Sequence, residues 1–296
     1  MKSASKNPRR LPSNGQLLGA HTSTAGGFHL AVERAVSIGC TAMQIFVKNN
    51  MQWFAGGPLL GPELERYHAA AGALGAVFGH SGYMINLAAT NPEFLEKSRR
   101  ALIEELTRAD ALRLPFLVLH PGAHMGAGLE PGLQTVVQSL DEVFKKAPHL
   151  RTRVALETTA GQGSCLGAEF EHLAYILANV REPERLCVCV DTAHLFEAGY
   201  DISTAGGAQA VFAKFHKIIG REHLAALHLN DSKTALGSRV DRHEHIGKGQ
   251  IGLEAFRYIM TAPNLAKVPK VLETPKGKEM LEDVENLAVL RRLAAG

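Results

Sequence analysis

The chain has 296 residues, 46 % of them hydrophobic and 21 % charged, with a formal net charge of +3. These values exclude fibrous and low-complexity proteins and allow a sizeable buried core. Four basic residues, Lys2, Lys6, Arg9 and Arg10, lie in an opening stretch without acids, so the remainder is slightly acidic and net charge says little about partners.

Residues 1–15 read as a disordered basic tail, because they lack the apolar centre of a signal peptide. From residue 16 to residue 296 the expectation is one domain. A short apolar run at 16–23 is followed by a helical pattern at 29–38. Further runs at 41–47, 76–82, 116–122, 153–159, 187–194, 224–231 and 269–275 are rich in Val, Leu, Ile or Phe. Runs that are apolar on both faces are typical of parallel strands covered by helices. Helical patterns fall between them, at 62–74, 130–146, 167–180, 205–219, 252–260 and finally 280–294. The Asn91-Pro92 pair starts another, with a capping residue before proline at the first helical position. No apolar run approaches the ~20 residues that span a bilayer.

Eight alternating strand–helix units predict an α/β fold, a single closed (β/α)₈ TIM barrel, with an open doubly wound sheet as the rival. The cysteines, Cys40, Cys165, Cys187 and Cys189, form no C-x-x-C pair, and Cys187 and Cys189 alternate on one side of a strand. Buried, inert thiols in a reducing compartment are expected, and hence a cytoplasmic location.

Polar residues gather at the ends of the apolar runs: His21, His80, His120, Glu157, Asp191 with His194, His228, and Glu273. In a barrel these ends share one face, where barrel enzymes place their chemistry. Asp241 and His243 lie in the turn-rich stretch 240–252, above the same face. His80, His120, Glu157, Asp191, His194, His228, Asp241, His243 and Glu273 can therefore converge. One histidine after a strand is usually structural. Four carboxylates around one cavity repel each other unless cations intervene. Mixed imidazole and carboxylate donors suit Zn²⁺, with Mn²⁺ or Fe²⁺ as alternatives. At three protein ligands per open zinc site, the set accommodates up to three ions. The resulting positive site suits an anionic substrate such as a phosphodiester.

These residues sit in GAHTSTAGG (19–27), HSGYMINLA (80–88), HPG (120–122), ETTAGQG (157–163), DTAHLFEAGYD (191–201), HLNDSK (228–233), VDRHEHIGKGQIG (240–252) and ETP (273–275). In that order they resemble the endonuclease IV family of apurinic/apyrimidinic endonucleases. The resemblance implies three zinc ions per chain, the first held by His80, His120 and Glu157. Glu157 would bridge to a second, held also by Asp191, His228 and Glu273, and the third would be held by His194, Asp241 and His243. It further implies hydrolysis 5′ of abasic sites in double-stranded DNA, cleaning of blocked 3′ ends, and catalytic roles for Glu157 and Glu273. Three positions depart from the family pattern: Thr158 where asparagine is common, Ala193 where some members carry cysteine, and Met51 where some carry a basic residue.

Loops beyond the strands mix cations and aromatics, and Lys48, Trp53, Tyr83, Arg242 and Lys248 are the candidate DNA contacts. A monomer without membrane attachment is expected. The alternatives are a divalent-metal sugar isomerase or epimerase on the same barrel, and a non-catalytic DNA-binding protein on a decayed enzyme fold.

Overall fold

The computed structural model describes residues 15–296, so the expected tail falls, except for Gly15, outside the described residues. Eight parallel strands close into a barrel: β1 (Leu18–His21), β2 (Ala42–Phe46), β3 (Ala76–His80), β4 (Phe116–Leu119), β5 (Arg153–Glu157), β6 (Leu186–Asp191), β7 (Leu224–His228) and β10 (Lys270–Leu272). Neighbours in sequence pair around the ring, with one register shift at Val188–Cys189 between β6 and β7. The seam is β1 against β10, with Gly19 opposite Val271. The open-sheet alternative is thereby excluded.

Helices α1 (Phe28–Ser37), α2 (Gly61–Ala71), α3 (Pro92–Ala111), α4 (Leu129–Lys146), α5 (Phe170–Asn179), α7 (Ala205–Ile218), α8 (Leu253–Thr261) and α9 (Leu281–Ala295) cover the barrel. Each matches an expected helical pattern to within a few residues. The Asn91 side chain accepts from Phe94 N at 2.9 Å, and Pro92 occupies the first turn of α3. Along α3, Ala101, Leu102, Leu106 and Ala109 are buried, and that spacing is the inner stripe of a helix. No described helix is long and apolar enough to cross a membrane.

Two elements were not expected from the sequence. Helix α6 (Thr192–Ala198) begins directly after β6, with Asp191 as its cap. A two-stranded hairpin, β8 (Asp231–Ser232) with β9 (His243–Glu244), carries the excursion after β7.

The barrel interior is filled by Ala42, Phe78, Phe116, Val118, Ala155, Cys187, Cys189, Ala226 and Val271, all buried. The Phe78 and Phe116 rings lie 4.9 Å apart at its centre. Phe→Ala truncations in such close-packed interiors cost about 3–5 kcal/mol, so the plug is a rigid floor. Cys187 and Cys189 belong to it. Burial pushes both thiols up to about 12, and all four cysteines are free.

Candidate metal centre

The floor dictates what stands above it. Side chains two residues apart on a strand share a face. Two residues beyond Ala42 is Gln44, beyond Phe78 is His80, beyond Val118 is His120, and beyond Ala155 is Glu157. The same step leads from Cys189 to Asp191, from Ala226 to His228, and from Val271 to Glu273. The pleat that buries the floor therefore aims seven polar side chains into the mouth of the barrel.

There they meet. Glu157 is fully buried; its Oε2 lies 3.1 Å from His80 Nε2 and 2.9 Å from His120 Nε2, and its Oε1 lies 2.7 Å from His228 Nδ1. Glu273 Oε2 and Asp191 Oδ2 approach the same His228 nitrogen at 3.1 and 3.7 Å. Asp241 lies between His194 Nε2, at 3.2 Å, and His243 Nε2, at 3.3 Å. Donor atoms gather into four overlapping groups: His80, His120 and Glu157; Glu157, Cys189 and His228; Glu157, Asp191, His228 and Glu273; and Asp191, His194 and His243. Eight of the nine expected residues fall in these groups, and Asp241 adjoins the last through His194 and His243. Asp191 belongs to both the third group and the fourth.

The orientations of the rings show whether this donor set suits a metal. His80 Nδ1 donates to Ser81 O at 2.8 Å, His194 Nδ1 to Thr158 O at 2.8 Å, and His243 Nδ1 to Glu273 O at 3.3 Å. A backbone carbonyl only accepts, so each Nδ1 carries a proton and each Nε2 is the nitrogen turned to the centre. The buried Nε2 atoms of His194 and His243 have no hydrogen-bond partner. Ring orientation by outer partners is characteristic of metal-ligating histidines.

His228 is turned the other way. Its Nε2 lies 2.7 Å from Gln44 Oε1, which only accepts, so Nε2 carries a proton and Nδ1 is the nitrogen turned to the centre. The Gln44 amide also donates to Glu273 Oε1 at 2.5 Å and contacts His21 Nδ1 at 2.9 Å. Asn230 Nδ2 holds Asp191 Oδ2 at 2.6 Å, and its Oδ1 accepts from Glu273 N at 2.8 Å. The Thr158 hydroxyl accepts from Asp191 N at 2.9 Å, so this departure from the family pattern clips β6 to β5 beneath the ligands.

The electrostatics agree. Burial opposes ionisation of Glu157, yet the imidazoles of His228 and His120 hold its carboxyl well below the usual range. Burial also opposes charge on His194, yet Asp191 and Asp241 raise its pKa well above that of free imidazole. Burial opposes ionisation of Asp241, yet the adjoining imidazoles of His194 and His243 hold its carboxyl down at about 2. Ionised carboxylates with nothing but imidazoles to neutralise them form a centre that calls for cations.

The expected DNA contacts separate. A cavity of about 340 Å³ above the centre is lined by Tyr83, Gln162 and Arg242 together with His80, His120, His194, Asp241, His243 and Glu273. Tyr83 is 65 % exposed and stands edge-on to Phe46 and His80. Trp53 is half-buried, packed edge-on against Phe94 with Lys97 above its ring. Lys248 is exposed and lies 3.8 Å from Glu285. Lys48 differs from expectation: it is 7 % exposed and pairs with Glu105 at 2.8 Å, so it is no free cation on the rim. Asp231 is not a ligand; its carboxylate accepts from the amides of Ser232, Gly247, Gly249 and Ile251 and so folds the stretch that follows β9.

Comparison with known proteins places this geometry. The family described as a xylose isomerase-like TIM barrel matches residues 32–293. The protein named Probable endonuclease 4 of Geobacter sulfurreducens is 46 % identical over 277 residues, covering 93 % of this chain and 94 % of its own. Its namesake in Chloroflexus aggregans is also 46 % identical, over 93 % and 96 % of the two chains. The chain belongs to the endonuclease IV family. It is accordingly an enzyme, a metal-dependent AP endonuclease of the phosphodiester-hydrolase class. The crystal structure of endonuclease IV from Thermus thermophilus superposes with a TM-score of 0.83 at 35 % identity, covering 94 % of this chain and 98 % of that one. A D-tagatose 3-epimerase-like protein superposes at 0.69 with 16 % identity, a likeness of fold alone.

Proposed function

We propose that this member of the endonuclease IV family uses three zinc ions to hydrolyse the phosphodiester 5′ of an abasic site in duplex DNA. The products are a 3′-hydroxyl and a 5′-deoxyribose phosphate, and blocked 3′ ends are cleared by the same hydrolysis. The observation that carries the reading is the donor set: overlapping groups around Glu157 and Asp191, with four of the five histidines held by an outer acceptor and the other ring nitrogen turned to the centre.

His80, His120 and Glu157 would hold one ion. Glu157, Asp191, His228 and Glu273 would hold a second, and His194, Asp241 and His243 a third. Zinc, when bound, lowers the pKa of coordinated water towards 7 and offsets charge growing on phosphoryl oxygens. The chain's own residues do the rest. Glu157, clasped by three imidazoles, fixes the spacing of the groups on its two sides. Glu273, restrained by Gln44 and backed by Asn230, orients the attacking water. Arg242, on the cavity wall, meets the phosphate backbone. Tyr83, exposed beside His80, stacks where the missing base leaves a gap. An abasic site has no base edge to read, so selection rests on backbone contacts and on easy deformation at the lesion. No covalent intermediate is required.

Metal analysis of protein purified without chelator should give close to three zinc ions per chain. The same protein should cleave an abasic duplex and leave an undamaged duplex intact. A reproducible count of one or fewer, or turnover of free ketoses in place of DNA, would overturn the proposal.

A further inference from the structure

Lys48 and Glu105 form a buried ion pair that the metal centre does not use. Lys48 follows β2, and Glu105 lies in the middle of α3, fully buried. Their side chains meet at 2.8 Å. Each is also committed to main chain: Lys48 Nζ donates to Gln52 O at 2.5 Å, while Glu105 accepts from Gly82 N at 3.0 Å. The pair thereby joins the loop after β2 to the loop after β3. The two loops also touch directly, Tyr83 N donating to Asn50 O. Helix α3 supports the same loop through three more hydrogen bonds: Glu104 accepts from Ala55 N, and Arg108 donates to Val47 O and Gly57 O.

A buried ion pair is poor value for stability alone, because desolvation offsets most of its attraction. Here the pair joins the segments that carry Asn50 and Tyr83, which line a cavity of about 650 Å³ beside His243 and Glu273, while Met51 on the first segment is 69 % exposed. We propose that Lys48 and Glu105 are positioning residues: together they form a strut that sets the spacing of the two loops that engage DNA, and Lys48 acts through the loops instead of touching phosphate. The inference rests on the proposed DNA substrate.

The test is steady-state cleavage of a duplex containing a tetrahydrofuran abasic analogue, by the zinc-loaded full chain, over a range of salt. Lys48→Met and Glu105→Gln should each raise KM at least ~10-fold, with a much smaller fall in kcat and an unchanged zinc count. The double variant should match either single variant, since one strut is broken only once. A lost phosphate contact reduces the salt slope of binding by about 0.9; Lys48→Met should leave the slope as it is. Gly82→Ala tests the same strut with both charges intact, because its methyl would press on Lys48 Nζ at 3.0 Å and Asn50 O at 3.1 Å. It should raise KM by about 3–10-fold, and it keeps the proposal testable if the charge variants do not fold. Normal KM in folded variants, or a salt slope reduced by Lys48→Met, would overturn the strut. A zinc-loaded wild type that ignores the duplex would overturn the substrate, and with it the function assigned to the strut.

Discussion

Replacing Gln44 by Met keeps length and shape but removes three contacts at the floor of the metal centre, to His21, His228 and Glu273. Gln44 Oε1 accepts from His228 Nε2 at 2.7 Å, and Gln44 Nε2 donates to Glu273 Oε1 at 2.5 Å. His228 is fully buried, so no water replaces the lost acceptor. The ring then gains by moving its proton to Nδ1, where Glu157 Oε1 waits at 2.7 Å. That tautomer has no lone pair to offer the centre. Loss of such an outer partner lowers metal affinity about 10–100-fold, equivalent to roughly 1.4–2.8 kcal/mol. The effect should fall on the ion shared by Glu157, Asp191, His228 and Glu273, while the ion near His194 and His243 stays tightly held. Zinc titration in chelator-buffered solution resolves the sites, with circular dichroism confirming the fold. Superimposable titrations for wild type and Gln44→Met would refute the reasoning, as would an equal weakening of every site.

Further predictions concern the bridging carboxylate, the barrel base and the loop below the hairpin. Glu157→Gln keeps size and removes the charge on which three histidines converge; kcat should fall at least ~10³-fold while DNA binding persists, to be measured by single-turnover cleavage beside a binding titration. Lys270 is buried at the foot of β10, donating to Leu265 O and Val268 O, and desolvation lowers its pKa to about 8. Its unfolded pKa is near 10.4, so between these values the unfolded chain holds more protons and stability rises with pH. Measured as wild type minus Lys270→Met, denaturant stability should climb by roughly 3 kcal/mol across that window; a flat difference would show that the ammonium is not desolvated. Asp231→Ala leaves four backbone amides without their acceptor, so it should weaken the ion near Asp241 and His243 more than the others, as read by metal count after dialysis.

The legible part of this protein follows from one periodicity. Strand residues two apart face the same way, so His80, His120, Glu157, Asp191, His228 and Glu273 announce themselves as polar residues just past apolar runs. Barrel closure then makes them neighbours. Gln44 carries the same signal, a lone polar residue inside Ala42–Phe46, but it lies within the run and so reads as strand. His21 was visible at a strand end, and only the fold reveals its contacts with Gln44 and Glu273. Helix α6 stayed hidden because its cap is one of the carboxylates of the centre: Asp191 accepts from His194 N at 3.0 Å, so the D-x-x-H spacing is also the first turn of a helix. Lys48 reads as a solvated cation because its partner, Glu105, is one charge among many on an amphipathic helix. Nothing local in sequence marks two such charges as a buried pair.

The seam between β1 and β10 places the beginning and end of the barrel side by side at the centre. Gln44 and Glu273, 229 positions apart, share a hydrogen bond, and Lys276 reaches back to His21 O across 255 positions. A nascent chain therefore cannot assemble this site piecemeal. It can gather the first six strands and most of the donors, yet Glu273 and the wall it completes arrive only with the last strand of the barrel. Any metal held through Glu273 therefore waits for the ring to close. A barrel cut short of β10 would lack that carboxylate and should bind metal more weakly.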